Sequence, residues 1–600
     1  MKNLLYAVAL FLVVLGALVI LENTSPRRGA IPAFHGDTIL SRDIPSLPGQ
    51  STRPGSGTDR TNLSAGSENA TARADTLLTL WHPREAVVLL DDALERDSTS
   101  VNARVLLIEA LASPLVSDED NVRRLCDEAD ALVSTPADSL FLVGVRALFV
   151  DRNPAAAVAA LTGAERYGAR APGLLRYLVR ADFEARRLSD ARALITRIRH
   201  NDPDNAAALR LAVRADVLTG DIARAARSAR DLGRAWDNEP ISYVLMAQVE
   251  LRRGRNDDAA RFLRTALELD PRYIPAIVAQ GNVFMAQDKL EAARTSYEKL
   301  LLFDDPVLRS IGFDGLASVE FLAGAFDQAV SAMDNSVREA MLAGSVRLGL
   351  RHAMRLVGYL CALGQGDAAR GVIDRWVSGF GEIPEAIGRL RIDVLDGRLE
   401  RVGRTLHRIE SDTDWSGWAQ TLGLDTIELS ALARIGRSDY ERASALLNTD
   451  DQSARAVTDS AAPARREFLR GYAAFEAGRA ELAGAAFDST RSLFFSTTFP
   501  YRADPVLHVQ SLFYEGECAL AAGRTTRARS AYSAFVRRWE SSPWPIAALE
   551  RAMRKLDSLQ GNSVSGPHPR PGDEGKDGSR DSGSTTQPPD HATMRPDSTK

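Results

Sequence analysis

The feature that most constrains this chain is a period. Shifting the sequence by 34 residues brings Ala191, Ala225, Ala259 and Ala293 into register, together with the turn positions Gly220, Gly254 and Asp288. From Ala72 to about Leu559, apolar residues recur at three- and four-residue intervals in short segments, and Gly, Asp, Asn and Pro interrupt them. That spacing marks paired amphipathic helices. In the stretch from Tyr243 to Pro271 the first helix closes at Arg253-Gly254 and the second at Asp270-Pro271, because Gly permits the turn and Pro cannot continue the helical ladder. No segment alternates with period two over β-branched and aromatic residues, so no sheet is expected. One such helix pair cannot bury its apolar face alone. Successive pairs must stack, and the expected fold is an all-α solenoid.

The residues within each period resemble the tetratricopeptide repeat, a helix-turn-helix unit with a bulky early residue, small residues where its helices cross, a later aromatic and a closing proline. In the unit from Pro240 these are Tyr243, Ala247 with Ala259, Leu263 in the aromatic place, Ala266 and Pro271. In the next they are Gly281, Phe284, Ala293 and Tyr297. Comparable pairs are Ala317 with Ala329, Val357 with Ala369, Ala431 with Ala443, Gly471 with Ala483 and Gly516 with Ala528. Phe487 and Tyr532 hold the aromatic place in the last two. Before Pro172 the pattern loosens, with Gly144 and Ala156 and a half unit around Ala86. The small residues let paired helices approach, and larger ones fill the gap to the next pair. The resemblance implies a right-handed superhelix over residues 72–559, of roughly ten to twelve units, best matched over 172–305 and 464–540. It also implies that the first helix of each pair lines a concave groove that binds peptides or other protein domains. Arg180, Arg214, Gln248 and Asn282 recur along that face, with Arg210 four residues before Arg214. Such a row of donors suits the carboxylates of an extended peptide; the alternative is a plain solvated helix face in an arginine-rich protein. The lysine and asparagine clamp of chaperone-binding members is not reproduced.

Three flanking segments differ from the repeats. Leu4 to Leu21 is an unbroken apolar run of 18 residues, long enough to cross a hydrocarbon core as a helix. Glu22-Asn23-Thr24-Ser25-Pro26-Arg27-Arg28 follows without the small residues of a cleavage site, so residues 1–22 read as an uncleaved transmembrane signal anchor. Lys2 favours an inside N-terminus, whereas Arg27 and Arg28 pull the other way under the positive-inside rule. The solenoid is expected outside the cytoplasm, at a bacterial inner membrane. Residues 23–71 are rich in Ser, Thr, Pro and Gly and read as a disordered stalk, and residues 560–600 as a disordered tail.

One departure from the period stands out. Ala483 and Ala528 lie 45 residues apart, with the extra length in RSLFFSTTFPYRADPVLHV. Phe494, Phe495, Phe499 and Tyr501 there are candidates for an aromatic contact with a partner, since aromatic anchors dominate interfaces. The alternative is that they close the core.

Little points to chemistry. Cys126, Cys361 and Cys518 are far apart and form no metal or disulfide framework. There is no phosphate-binding loop, esterase elbow or zinc-protease motif, and Gly364-Gln365-Gly366-Asp367 sits at an inter-helix turn. No catalytic residue, cofactor, metal or small-molecule substrate is therefore expected. A net charge of -5 with interspersed signs argues against nucleic acid. The expectation is a membrane-anchored scaffold or adaptor for other proteins in bacterial envelope assembly or export, and not an enzyme. A solenoid that cuts or binds cell-wall glycan is the alternative.

Overall fold

A computed structural model of the chain describes residues 59–561, except 186, 396–397, 411–414, 424–425, 449–461, 495–504 and 541–545. Within them the secondary structure is helical, arranged as successive antiparallel pairs with no strand. Pro240–Arg252 pairs with Asn256–Leu269, Ile274–Ala286 with Leu290–Leu301, Pro306–Ala323 with Phe326–Leu342, and Pro505–Ala521 with Thr525–Trp539. The local signals agree with these bounds. Pro240, Pro306 and Pro505 open their helices, where the missing N–H costs nothing. Side-chain caps hold others: Asn205 accepts from the Ala208 N–H at 2.9 Å and Asp221 from the Arg224 N–H at 3.0 Å.

Small residues sit where paired helices cross. Ala247, Ala259, Ala317, Ala329, Ala431 and Ala443 are all completely buried. At Gly281 the requirement is strict, because a Cβ there would lie 2.4 Å from the Tyr297 ring. In the pair Pro136–Phe149 and Pro154–Arg166 the crossing is shifted by one residue from the sequence reading. Ala156 is exposed, and Ala157 is the buried partner one residue on. The large residue at this crossing is Leu161, against Gly144.

The first described helix, Asp59–Thr79, overlaps the stretch read as stalk, so that boundary needs correction. Ala70 and Ala74 are buried, and Ser67 donates to the Ala93 carbonyl at 3.0 Å. An alanine-spaced face is small enough to pack closely on the next helix, and that spacing was hidden by the surrounding Ser, Thr and Gly.

Each pair contacts chiefly its neighbours, but the chain also returns on itself. The Tyr273 hydroxyl donates to the Leu80 carbonyl at 3.2 Å, Ser345 to the Ser117 carbonyl at 2.8 Å, and the Trp539 indole to the Phe321 carbonyl at 3.3 Å. Arg84 pairs with Asp305. These partners are 193 to 228 residues apart, about six to seven periods.

Candidate functional site

Arg180, Arg210, Arg214, Gln248 and Asn282 do lie on the first helices of successive pairs, yet they do not form one open row. Gln248 and Asn282 are buried, at 4% and 5% exposure, and Asn282 accepts a hydrogen bond from the Tyr297 hydroxyl at 2.8 Å. Their amides belong to the packing between helices. The three arginines meet the chain's own aromatic rings: Arg210 lies 5.8 Å from the Trp81 ring, Arg214 5.9 Å from Phe183 and Arg180 4.7 Å from Phe149. Arg210 is half-buried, with its Nε sealed and without a hydrogen-bond partner. Burial, reinforced by the nearby charge of Arg176, pulls its guanidinium down to about 10. Arg176 itself is clamped by Glu109 at 2.6 Å and Asp75 at 2.8 Å.

The turn after the first described helix thus covers part of the face on which Arg210 lies. Trp81 sits on Arg210, and His82 lies between Glu85 and Glu239, 3.7 Å from each. Although burial opposes its protonation, those two carboxylates raise His82 to about 9.

A second cluster was not legible from spacing alone. Arg152, Arg180, Arg347 and Arg351 line one open cleft with Glu119 and Glu184, around about 100 Å³ of free space. They come from three places: the turn after Pro136–Phe149, the helix Leu174–Glu184 and the helix Val346–Ala362. Arg180 donates to Glu184 at 2.9 Å, Arg347 lies 3.5 Å from Glu119, and Arg351 donates to the Thr421 carbonyl at 3.3 Å. Arg152 donates to the Leu148 carbonyl at 3.3 Å, while its Nε is sealed without a partner. Burial, with the charges of Arg347 and Arg180, pulls Arg152 down to about 9. The signal that could have found it is positional. Among the described residues, turns between paired helices repeatedly place one residue at positive φ, two before the second helix. Gly220, Gly254, Gly324 and Gly364 hold that place elsewhere, and Arg152 holds it here at φ 54°.

Two other constellations carry less. Ser310, Ser336 and His352 converge from three helices, with Ser336 Oγ 2.6 Å and Ser310 Oγ 3.1 Å from His352 Nδ1. Both serines are completely buried, so the trio joins helices inside the core. Cys126 and Cys518 are buried thiols that burial pushes up to about 12, unsuited to ligation or nucleophilic attack at neutral pH. No group of acidic, His or Cys side chains among the described residues could hold a metal.

The aromatic candidates Phe495, Phe499 and Tyr501 lie outside the described residues, as does the Phe494 side chain; the Phe494 backbone ends the helix Ala480–Phe494. The apolar run Leu4 to Leu21 lies outside them too, and no helix within them is long and apolar enough to cross a membrane.

Comparison with known proteins bears on one helix pair. Residues 501–543 match the family model for the tetratricopeptide repeat, a segment that contains the helices Pro505–Ala521 and Thr525–Trp539. No curated protein matches the chain. Among solved structures, the one described as the crystal structure of APC/C hetero-tetramer Cut9-Hcn1 is similar over 72% of this chain and 88% of its own. The identity is 14% and the TM-score 0.30, a likeness from which no function is transferred.

Proposed function

We propose that this chain is a helical-repeat scaffold that binds other proteins, held at a bacterial inner membrane by Leu4 to Leu21 with its repeats on the extracytoplasmic side. The observation that carries the reading is the stacking of helix pairs with small crossing residues, ending in a pair that matches the tetratricopeptide repeat. Stacked repeats of this kind expose long continuous surfaces, on which protein partners dock at several points at once. Because Trp81 and His82 cover part of the inner face at Arg210 and Glu239, the partner engages elsewhere, and the aromatic stretch Phe494 to Tyr501 is the proposed anchor.

Crosslinking and affinity capture of the tagged full-length protein from membranes test this, beside a variant with Phe495, Phe499 and Tyr501 replaced by alanine. A partner held by the native chain and lost from the variant supports the scaffold and its anchor. A partner indifferent to the variant removes the aromatic anchor, and a chain that extracts from membranes with salt alone removes the tether. A phosphatase reporter fused after residue 561 reads the side of the membrane: activity places the repeats outside, and inactivity reverses the orientation.

A further inference from the structure

Two parts of the chain that are distant in sequence make the arginine cleft. Arg152 and Arg180 come from the early pairs, Arg347 and Arg351 from a helix about 170 to 200 residues later. Four guanidinium groups and two carboxylates, Glu119 and Glu184, line it, so its lining carries a net excess of two positive charges. Like charges held together cost stability unless something offsets them. Arg180 and Arg347 have carboxylates beside them, while Arg152 makes a single hydrogen bond, to a carbonyl, and keeps a sealed, unpartnered Nε. Arg152 also occupies a left-handed turn position filled by glycine in several other units, a placement that packing alone does not favour.

We propose that this cleft binds a phosphoryl dianion, gripped by Arg152 together with Arg347 and Arg351 from the later helix. Three features select that chemistry. The excess of two charges matches a group carrying about -1.5 to -2 at neutral pH better than a single carboxylate. Planar guanidinium forks from different directions suit a tetrahedral oxyanion. The free space of about 100 Å³ leaves room for one such group. A ligand there ties Arg152 to Arg347 and so links the early and late repeats. The site does not depend on the identity of any protein partner.

The test is calorimetric titration of the purified full-length chain with inorganic phosphate in a phosphate-free buffer, with acetate at matched ionic strength as the monoanion. Glycerol phosphate in a further arm distinguishes a free anion from a phosphate monoester. We expect saturable phosphate binding that acetate does not reproduce, weakened roughly tenfold or more by Arg152→Gln, which removes a charged donor. Glu184→Gln removes a repelling carboxylate and strengthens binding severalfold, so it decides the matter even if the arginine variant fails to fold. A monoester that binds as tightly as phosphate identifies the ligand as a phosphorylated molecule; a weaker one identifies free phosphate. Equal heats with acetate, absence of saturation, or no gain from Glu184→Gln overturns the proposal.

Discussion

The repeats from Ala206 to Leu301 and the turns at Trp81, Ser117 and Arg152 handle the same structural position differently. In the regular repeats the positive-φ turn is Gly220 or Gly254, and nothing lies within 4 Å of where a Cβ would be. In the early pairs that position carries a side chain, at φ 65°, 55° and 54°. Those same turns meet distant parts of the chain: Trp81 meets Arg210, the Ser117 carbonyl meets Ser345, and Arg152 meets the cleft shared with Arg347. Asp288, the exception among the regular repeats, pairs with Arg538 at 3.0 Å. The lesson is a division of labour. Residues that keep the period stack each pair on the next, and at Trp81, Ser117, Arg152 and Asp288 the residue that breaks it at the turn meets pairs far apart in sequence.

The strongest way to break this comparison is at Trp539, which packs between Phe321, Phe326 and Phe535 and is 1% exposed. Trp539→Ala is expected to cost about 3–5 kcal/mol, read by urea unfolding. The site of the loss matters more than its size. Hydrogen exchange should lose protection in Pro306–Ala323, 218 residues away along the chain, whereas Leu263→Ala, inside a regular repeat, should expose only its neighbouring helices. Unchanged protection at Pro306–Ala323 would show that the distant contacts carry no stability.

His82 sharpens the comparison by pH, since it joins an early turn to Glu239. Burial works against its charge, but the Glu239 and Glu85 carboxylates raise it from 6.5 to about 9. A base raised by folding contributes stability that is complete below its unfolded value and lost as pH climbs through its folded one. Stability should therefore fall between pH 6.5 and about 9, by roughly 3 kcal/mol at the 1.4 kcal/mol carried by each unit. His82→Gln should flatten that slope, and a slope that survives the substitution assigns it to other groups.

Within the regular repeats, two glycines separate crowding from backbone strain. Gly281→Ala drives a methyl into the Tyr297 ring and is expected to cost about 1–3 kcal/mol. Gly254→Ala meets no atom and is charged only for its φ of 72°, about 1 kcal/mol. Thermal melts of the two should rank in that order, and the reverse order would mean that the crossing relaxes.

The same division explains what could be read from the sequence. Ala259, Gly281 and Tyr297 announce the helix pairs because each repeat obeys a local rule, and the crossing residues are legible one unit at a time. Contacts across six or seven periods obey no such rule. Nothing in the period shows that the Ser117 carbonyl would meet Ser345 or that the Trp539 indole would reach the Phe321 carbonyl. The helix through Ser67, Ala70 and Ala74 was obscured because its apolar face is made of alanines among polar residues.

The smallest predicted effect has the opposite sign, at Arg152. Replacing an L-residue at φ 54° by glycine removes about 1–2 kcal/mol of backbone strain, and the added freedom of the unfolded chain returns about 0.5–1 kcal/mol. Arg152→Gly also removes a cation that burial and its neighbours Arg347 and Arg180 disfavour. In phosphate-free buffer the variant should gain about 1 kcal/mol in urea unfolding. The native chain should recover that difference as phosphate is added, because a ligand that binds only the folded state stabilises it by mass action. A variant that is less stable without phosphate would make Arg152 part of the packing, and its turn would then differ from Gly254 in sequence but not in purpose.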